Sequence, residues 1–176
     1  VWPAMEETQD NWVNLSNNLV SLGKWGFIYS SEHGGFRNLY YKSGKDPADQ
    51  ITSGDRPVAE LKYASDKSLE IYFTAFDANT LEQHLYLATN PAMAPEDGFA
   101  QRLRRGEVEP PSRITEAGKS WSVTVAPDAR SFVGTSSSPT QPPQTGLYRI
   151  DGTLIAWIEE NRLDAAHPYA PYLATH

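Results

Sequence analysis

The chain has 176 residues, 39% of them hydrophobic, no cysteine and a formal net charge of −7 at pH 7. Its length suits one large or two small domains with a packed core. The lack of cysteine excludes disulfides and a thiolate metal site, and the acidic balance argues against a nucleic-acid partner, whose phosphates need a basic footprint. No apolar run approaches the ~18 residues of a membrane span, so we expect no membrane partner.

The location of the protein in the cell stays open at this stage. The chain begins at Val1 rather than Met, so we expect it to be part of a longer protein whose export signal, if any, lies elsewhere. A periplasmic or secreted parent fits the sequence, and the lack of cysteine leaves a cytoplasmic parent open as well.

The first 21 residues are the least regular part of the chain and are predicted to be a connecting segment. Trp12-Val13-Asn14-Leu15 is a short apolar stretch and a candidate strand. The neighbouring carboxylates of Glu6-Glu7 have the chemistry to hold an ammonium group. Their polar, acidic surroundings favour a solvated connector instead.

A pattern of short strands and turns begins near Gly26. Aromatic and β-branched residues predict strands at Phe27–Ser30, Asn38–Tyr41 and Gln50–Thr52. Glycine-rich and proline-containing turns separate them at 33–35 and 44–47. This stretch therefore has the layout of a small antiparallel sheet.

The same pattern recurs downstream. Phe73 lies 44 positions after Tyr29, and Leu85 lies 46 positions after Leu39. Strands are predicted for the second copy at 58–63, 69–74 and 84–87. A detour over 90–111 follows, and its arginines at 102, 104 and 105 are interpreted as part of a solvated loop rather than a phosphate site. The chain then returns at 113–118, the counterpart of 50–54.

His84 in the second copy takes the place of Asn38 in the first. A polar side chain at the same place twice predicts a hydrogen bond that caps a turn or joins two strands, in preference to a ligand-binding role.

The third copy opens with the clearest alternation in the chain, with Trp121, Val123 and Val125 on one face. A turn is predicted at 126–129, a strand at 131–134 and an exposed loop at 136–143, because that stretch is polar and rich in proline. A hairpin across Asp151-Gly152 is predicted to pair 147–150 with 154–158. Residues 161–166 are predicted to form one helical turn, stopped before Pro168.

A period of 40 to 50 residues made of short strands is typical of β-propeller blades. The predicted fold class is all-β, a partial β-propeller of about three four-stranded antiparallel blades. The approximate blades are 22–57, 58–120 and 121–160, with 1–21 and 161–176 as connecting segments. Three blades leave two end faces without a neighbour, which predicts self-association.

The order of several short stretches resembles one family. They include Trp12-Val13-Asn14-Leu15, Gly35-Phe36-Arg37-Asn38-Leu39-Tyr40, Ile51-Thr52-Ser53-Gly54-Asp55, Leu81-Glu82-Gln83-His84-Leu85-Tyr86, Ala126-Pro127-Asp128, and the exit Glu159-Glu160-Asn161 followed by His167-Pro168-Tyr169-Ala170-Pro171-Tyr172. Together they resemble the last propeller blades of the dipeptidyl peptidase IV family in the prolyl oligopeptidase clan, and the tail is similar to that of bacterial members.

The resemblance implies a parent enzyme that removes N-terminal Xaa-Pro and Xaa-Ala dipeptides from peptides. Family members use a Ser, Asp and His triad on an α/β-hydrolase domain that follows the propeller. The nearest approach to a serine elbow, Gly134-Thr135-Ser136-Ser137-Ser138, lacks the second glycine. We therefore assign no catalytic, cofactor-binding or metal residues, expect no cofactor, and predict that this chain is inactive by itself.

The family also holds the substrate's amino terminus with a pair of glutamates, but neither Glu6-Glu7 nor Glu159-Glu160 lies in the context of that motif. The expected role of the chain is to wall the substrate chamber and to support subunit contacts. Its expected partners are peptide substrates, the hydrolase domain and further copies of the chain.

Two other classes of protein remain. A repeat-type scaffold that binds peptides or proteins would show the same blades. A carbohydrate-active propeller enzyme would use exposed aromatic residues such as Trp157, Tyr169 and Tyr172 to stack on sugars, together with a placed pair of carboxylates. No such pair stands out in the sequence.

Overall fold

A computed structural model describes residues 5–8, 12–45, 47–54, 56–68, 70–77, 82–89, 109–163, 167–169 and 172. The described part of the chain is all-β, with one 3-10 turn at Gly23–Trp25. Its strands form three four-stranded antiparallel sheets, each built from strands that are consecutive in the sequence. The predicted fold class, a partial propeller of three blades, is confirmed.

Each sheet is a simple meander. Sheet 1 contains β1 (Leu19–Ser21), β2 (Phe27–Ser31), β3 (Asn38–Lys42) and β4 (Asp49–Gln50). Sheet 2 contains β5 (Val58–Tyr63), β6 (Glu70–Phe76), β7 (Gln83–Thr89) and β8 (Ser112–Arg113). Sheet 3 contains β9 (Ser120–Val125), β10 (Ser131–Ser138), β11 (Gln141–Arg149) and β12 (Leu154–Glu159). Such meanders need only local turns, which the glycine and proline signals of the sequence supply.

The repeat is visible in the register of the strands. In every sheet an aromatic residue of the second strand lies directly opposite a tyrosine of the third. The pairs are Tyr29 and Tyr40, Phe73 and Tyr86, and Phe132 and Tyr148, with ring centroids 5.6, 5.7 and 5.1 Å apart. Cross-strand aromatic pairs stabilise a sheet, so the same pair holds the same hairpin three times.

The sheets follow one another face to face. Ile28 and Leu39 of sheet 1 pack in one core with Ile71 and Phe73 of sheet 2. The opposite face of sheet 2 contributes Tyr72 and Leu85 to a second core, whose other members are Trp121, Val123, Phe132 and Tyr148 of sheet 3. Sheet 2 is thus buried on both faces, which is the arrangement of successive propeller blades.

The candidate strand at the start of the chain is wrong. Residues 12–15 form no strand, and Trp12 and Leu15 are 71% and 94% exposed. The first strand is β1, which begins four residues later and pairs with β2. An apolar stretch becomes a strand only where a sheet lies beside it, and that information is not local.

The predicted loop at 136–143 is also wrong, because β10 and β11 extend through it to a tight turn at Pro139 and Thr140. Proline is tolerated here for a local reason. Ser138 pairs with Gln141 and Ser136 with Gln144, so Pro142 and Pro143 lie in a bulge. A bulge needs no ladder hydrogen bond from the proline nitrogen.

The predicted helical turn at 161–166 fails at its first residue. Asn161 has a φ of +44°, a left-handed conformation that ends β12 and does not start a helix. Residues 164–166, like most of the predicted detour at 90–111, lie outside the described residues. The blade boundaries at 22, 58 and 121 stay a prediction, with β1 lying ahead of the first of them.

Candidate functional site: the inter-sheet cleft

An open cleft of about 660 Å³ lies where sheets 1 and 2 meet and extends to Ser122 of sheet 3. Its polar lining comes from the β2–β3 turn, from β5 and from the starts of β7 and β9: Glu32, Arg37, Glu60, Lys62, Gln83 and Ser122. The volume is within the usual range for sites that hold a small ligand or part of a peptide. We call this the inter-sheet cleft.

Backbone hydrogen bonds fix the walls of the cleft. The N–H of Gly35 donates to the carbonyl of Glu32 at 2.8 Å and closes the β2–β3 turn. The N–H of Val58 donates to the carbonyl of Arg37 at 2.8 Å, so the end of this turn is tied to the first residue of β5. The two charged residues of the turn are therefore held against the neighbouring sheet.

The charges in the cleft are paired. Arg37 Nη2 donates to Glu32 Oε1 at 2.7 Å, and Asn14 Nδ2 donates to the other oxygen of the same carboxylate at 2.6 Å. Lys62 forms an ion pair with Glu60 on the same strand. Since the four charged side chains are partly exposed, they offer donors and acceptors for a polar chain without a large net charge.

Asn18 joins the two sheets beside this cleft. Its side-chain nitrogen donates to the carbonyl of Ala59 at 3.1 Å, and its side-chain oxygen accepts from the N–H of Leu61 at 2.9 Å. Only 8% of Asn18 is exposed. An amide that satisfies both backbone groups of a neighbouring strand fixes the position of β5 next to β1.

His84 forms the hydrogen bond that its place in the repeat predicts. Thr115 Oγ1 accepts from the N–H of Leu85 at 3.1 Å and donates to His84 Nδ1 at 3.0 Å, and His84 Nε2 donates to Glu82 Oε2 at 3.1 Å. In sheet 1, Thr52 Oγ1 likewise accepts from Leu39 N–H and bonds Asn38 Oδ1 at 2.9 Å. Both side chains therefore form the predicted hydrogen bond, which in each sheet joins the third strand to the residues that follow the fourth.

The pKa of His84 is lowered from its ordinary 6.5, because burial disfavours the charged ring more than the bond to Glu82 favours it. Between the folded pKa and 6.5 the unfolded chain binds more protons. The contribution of His84 to stability is thus complete above pH 6.5 and is lost as the pH falls below it.

We expect His84→Asn to cost about 1 to 2 kcal/mol at pH 7.5 and to make stability less sensitive to pH between 7 and 5 in urea titrations.

The matched control for this substitution is Asn38→Ala, which breaks the equivalent bond in sheet 1 and removes no titrating group. Asn38→Ala should lower the free energy of unfolding by the same amount at pH 7 and at pH 5. An unchanged pH slope in His84→Asn would contradict the role given to His84.

The structure brings Ser31 close to Glu7 and His33, but these three residues do not form a catalytic relay. Ser31 Oγ contacts both Glu7 and His33 Nδ1, the latter at 2.9 Å, and also accepts from the backbone N–H of His33. A catalytic relay needs the histidine between the serine and the carboxylate, whereas here the serine lies between the other two. Ser31 is also 4% exposed, so it acts as a buried bridge.

The glutamate pairs have separate roles. Glu6 is exposed while Glu7 is half-buried against Ser31, so Glu7 is not the solvated connector that the sequence suggested. Glu159 accepts from the N–H of Asn161, and Glu160 pairs with Arg162 at 2.6 Å.

Residues 134–138 lie inside β10 and not in a strand-to-helix turn. The arginines at 102, 104 and 105 are outside the described residues.

Two further properties concern the described residues. No three of their histidine, aspartate and glutamate side chains gather as a metal site would require. None of the helical structure in this part of the chain has the length and hydropathy needed to cross a membrane.

Sequence reasoning missed Asn18 and the Arg37–Glu32 pair. Arg37 and Glu32 belong to the repeat that the sequence shows, and charged residues flanking a Gly-Gly turn were the available signal. Asn18 had no such signal, because its partners lie 41 and 43 positions away.

Three small sheets that stack face to face, each a four-stranded meander, define a segment of a β-propeller. The family model for the dipeptidyl peptidase IV (DPP IV) N-terminal region matches residues 1–143, and the chain belongs to this family. It is therefore part of the N-terminal propeller region of a DPP IV-like peptidase. The resemblance drawn from the sequence is confirmed at the level of the family.

Proposed function

We propose that the chain is a non-catalytic wall of the substrate chamber in a serine-type dipeptidyl peptidase, which removes Xaa-Pro and Xaa-Ala dipeptides, and that it also supports subunit contacts. The observation that carries the proposal is the inter-sheet cleft. It offers paired charges and the side-chain amide of Gln83 to a peptide, and its described lining contains no histidine to activate Ser122. The catalytic triad belongs to a hydrolase domain elsewhere in the parent enzyme.

A wall of this kind acts by positioning the peptide substrate. Long peptides extend along it, whereas a substrate of dipeptide length does not reach it. Contacts remote from the reacting bond lower the barrier only for substrates that make them. The inter-sheet cleft should therefore matter for long substrates and not for short ones.

The test compares two substrates in the parent enzyme. Arg37→Ala should lower kcat/KM about fivefold, the equivalent of about 1 kcal/mol, for a 20-residue peptide that begins Gly-Pro. It should leave kcat/KM for glycyl-prolyl p-nitroanilide unchanged. The control is Lys67→Ala, which removes an exposed cation from the β5–β6 turn outside the cleft lining and should change neither value.

The 176-residue chain without its parent should release no p-nitroaniline. Release that a serine-directed phosphonate abolishes would overturn the division of roles. Equal losses for the long and the short substrate in Arg37→Ala would overturn the placement of the chamber wall at this cleft.

A further inference from the structure

The connection from one sheet to the next is built twice in the same way. We call the chain between β4 and β5 the first link and the chain between β8 and β9 the second link. Thr52 and Thr115 lie at equivalent places in the two links, because each accepts a hydrogen bond from the third strand of the preceding sheet. The fourth residue after each threonine is basic, Arg56 in the first link and Lys119 in the second.

Only the second link carries a carboxylate directly after its threonine. Lys119 Nζ donates to Glu116 Oε2 at 2.9 Å, and Glu116 is the residue that follows Thr115. In the first link the equivalent residue, which follows Thr52, is Ser53. A serine therefore stands at the place from which the second link neutralises its cation.

A small cavity lies beside Arg56, between the first link and sheet 2. Its volume is about 30 Å³, and its lining includes Ser53, Arg56 and Tyr86. Such a volume has room for one water molecule or one monatomic ion. None of the described residues that line it has a carboxylate. The equivalent gap at the second link has both Glu116 and Lys119 in its lining.

Tyr86 brings a buried hydroxyl to this cavity. The residue is 2% exposed, and within the described part of the chain its hydroxyl has no hydrogen-bond partner. The guanidinium carbon of Arg56 lies 5.6 Å from the centre of the tyrosine ring. A buried hydroxyl is normally paired, and hydroxyl and guanidinium groups together are donors that suit an anion.

The charge around Tyr86 is positive on balance. Burial raises the pKa of Tyr86, the charges of Arg56 and Arg113 act against that rise, and the charge of Asp77 adds to it. Arg113 and Asp77 form an ion pair at 3.3 Å, so their effects oppose each other and the effect of Arg56 remains. A positive potential at a small cavity favours an anion over a water molecule.

We propose that this cavity binds one small monovalent anion such as chloride, held by the guanidinium of Arg56 and the hydroxyls of Tyr86 and Ser53. The anion supplies the negative charge that Glu116 supplies in the second link, and it strengthens the contact between sheets 1 and 2. The site goes beyond the proposed chamber wall and does not depend on it.

The first test measures the width of the chlorine NMR line of sodium chloride in the presence of the 176-residue chain, because chloride that exchanges with a protein site gives a broader line. We expect Arg56→Gln and Tyr86→Phe each to reduce the broadening at least twofold. Lys119→Gln, at the equivalent cation, should leave it unchanged. So should Tyr40→Phe, since Tyr40 is also 2% exposed and its hydroxyl also lacks a partner among the described residues.

The second test compares thermal unfolding in sodium chloride and in sodium gluconate at the same ionic strength, because gluconate is too large for the cavity. We expect the unsubstituted chain to unfold about 3 to 6 °C higher in chloride, the shift that an anion at ten times its dissociation constant produces in a chain of this size. Ser53→Glu gives the first link the carboxylate that the second link has. It should raise the unfolding temperature in gluconate and remove the difference between the salts.

Three results would each overturn the proposal. One is equal broadening of the chlorine line with Arg56→Gln and with Lys119→Gln. Another is the same unfolding temperature of the unsubstituted chain in the two salts. The third is a salt difference that persists in Ser53→Glu. Any of them would mean that a water molecule, and not an anion, fills the cavity.

Discussion

Phe132→Ala is expected to lower the free energy of unfolding by about 3 to 5 kcal/mol, the range for emptying a buried phenylalanine site. Phe132 is 1% exposed and stacks on Tyr148 with the ring planes 10° apart. It fills the core between sheets 2 and 3. Urea denaturation followed by tryptophan fluorescence measures the loss.

The neighbouring residue provides the control. Val133 lies on the opposite face of β10 and is 37% exposed, so Val133→Ala should cost no more than about 1 kcal/mol. If the two substitutions cost the same, sheet 3 does not pack on sheet 2 through this face, and the face-to-face succession of the sheets would be wrong.

Gly26→Ala is expected to cost about 3 kcal/mol or more, or to prevent folding. Gly26 has a φ of +114° and a ψ of −143°, a conformation that is open to glycine and costly for other residues. A Cβ atom there would also lie 2.1 Å from the carbonyl oxygen of Lys42, in the neighbouring strand. Backbone atoms of a paired strand cannot move away without breaking the sheet.

Gly35→Ala separates the two causes. Gly35 has a φ of +101°, but a Cβ atom there would meet nothing within 4 Å. Its substitution should therefore cost about 1 to 2 kcal/mol, from the backbone conformation and without a clash. Thermal unfolding of both variants gives the comparison, and equal losses would show that the approach of Lys42 has no effect.

The sequence predicted the parts of the fold that depend on local chemistry. Alternation placed β9 to within a residue, and the matched positions of Tyr29 and Phe73 identified the repeat that the register confirms. The predictions that failed concern residues whose structure depends on partners distant in the sequence. β1 is a strand because β2 pairs with it, and the prolines of β11 are accommodated by a bulge in the ladder with β10.

The same limit applies to the candidate site. The recurrence of a polar residue at positions 38 and 84 predicted a hydrogen bond that caps a turn or joins two strands, because equivalent places in a repeat have equivalent surroundings. The threonine partners were not predicted, since Thr52 and Thr115 follow their polar residues by 14 and 31 positions. The inter-sheet cleft required the contact between two sheets, which no single stretch of sequence encodes.

Because sheet 2 is buried on both faces, it couples the stability of sheet 1 to that of sheet 3. Sheets 1 and 3 each share a core with sheet 2, so a perturbation at either outer sheet first alters the packing of β6 and β7. In a one-dimensional array of this kind, cooperativity is transmitted between nearest neighbours. Unfolding of sheet 1 therefore destabilises sheet 3, and the reverse, only as far as it disrupts the packing of sheet 2.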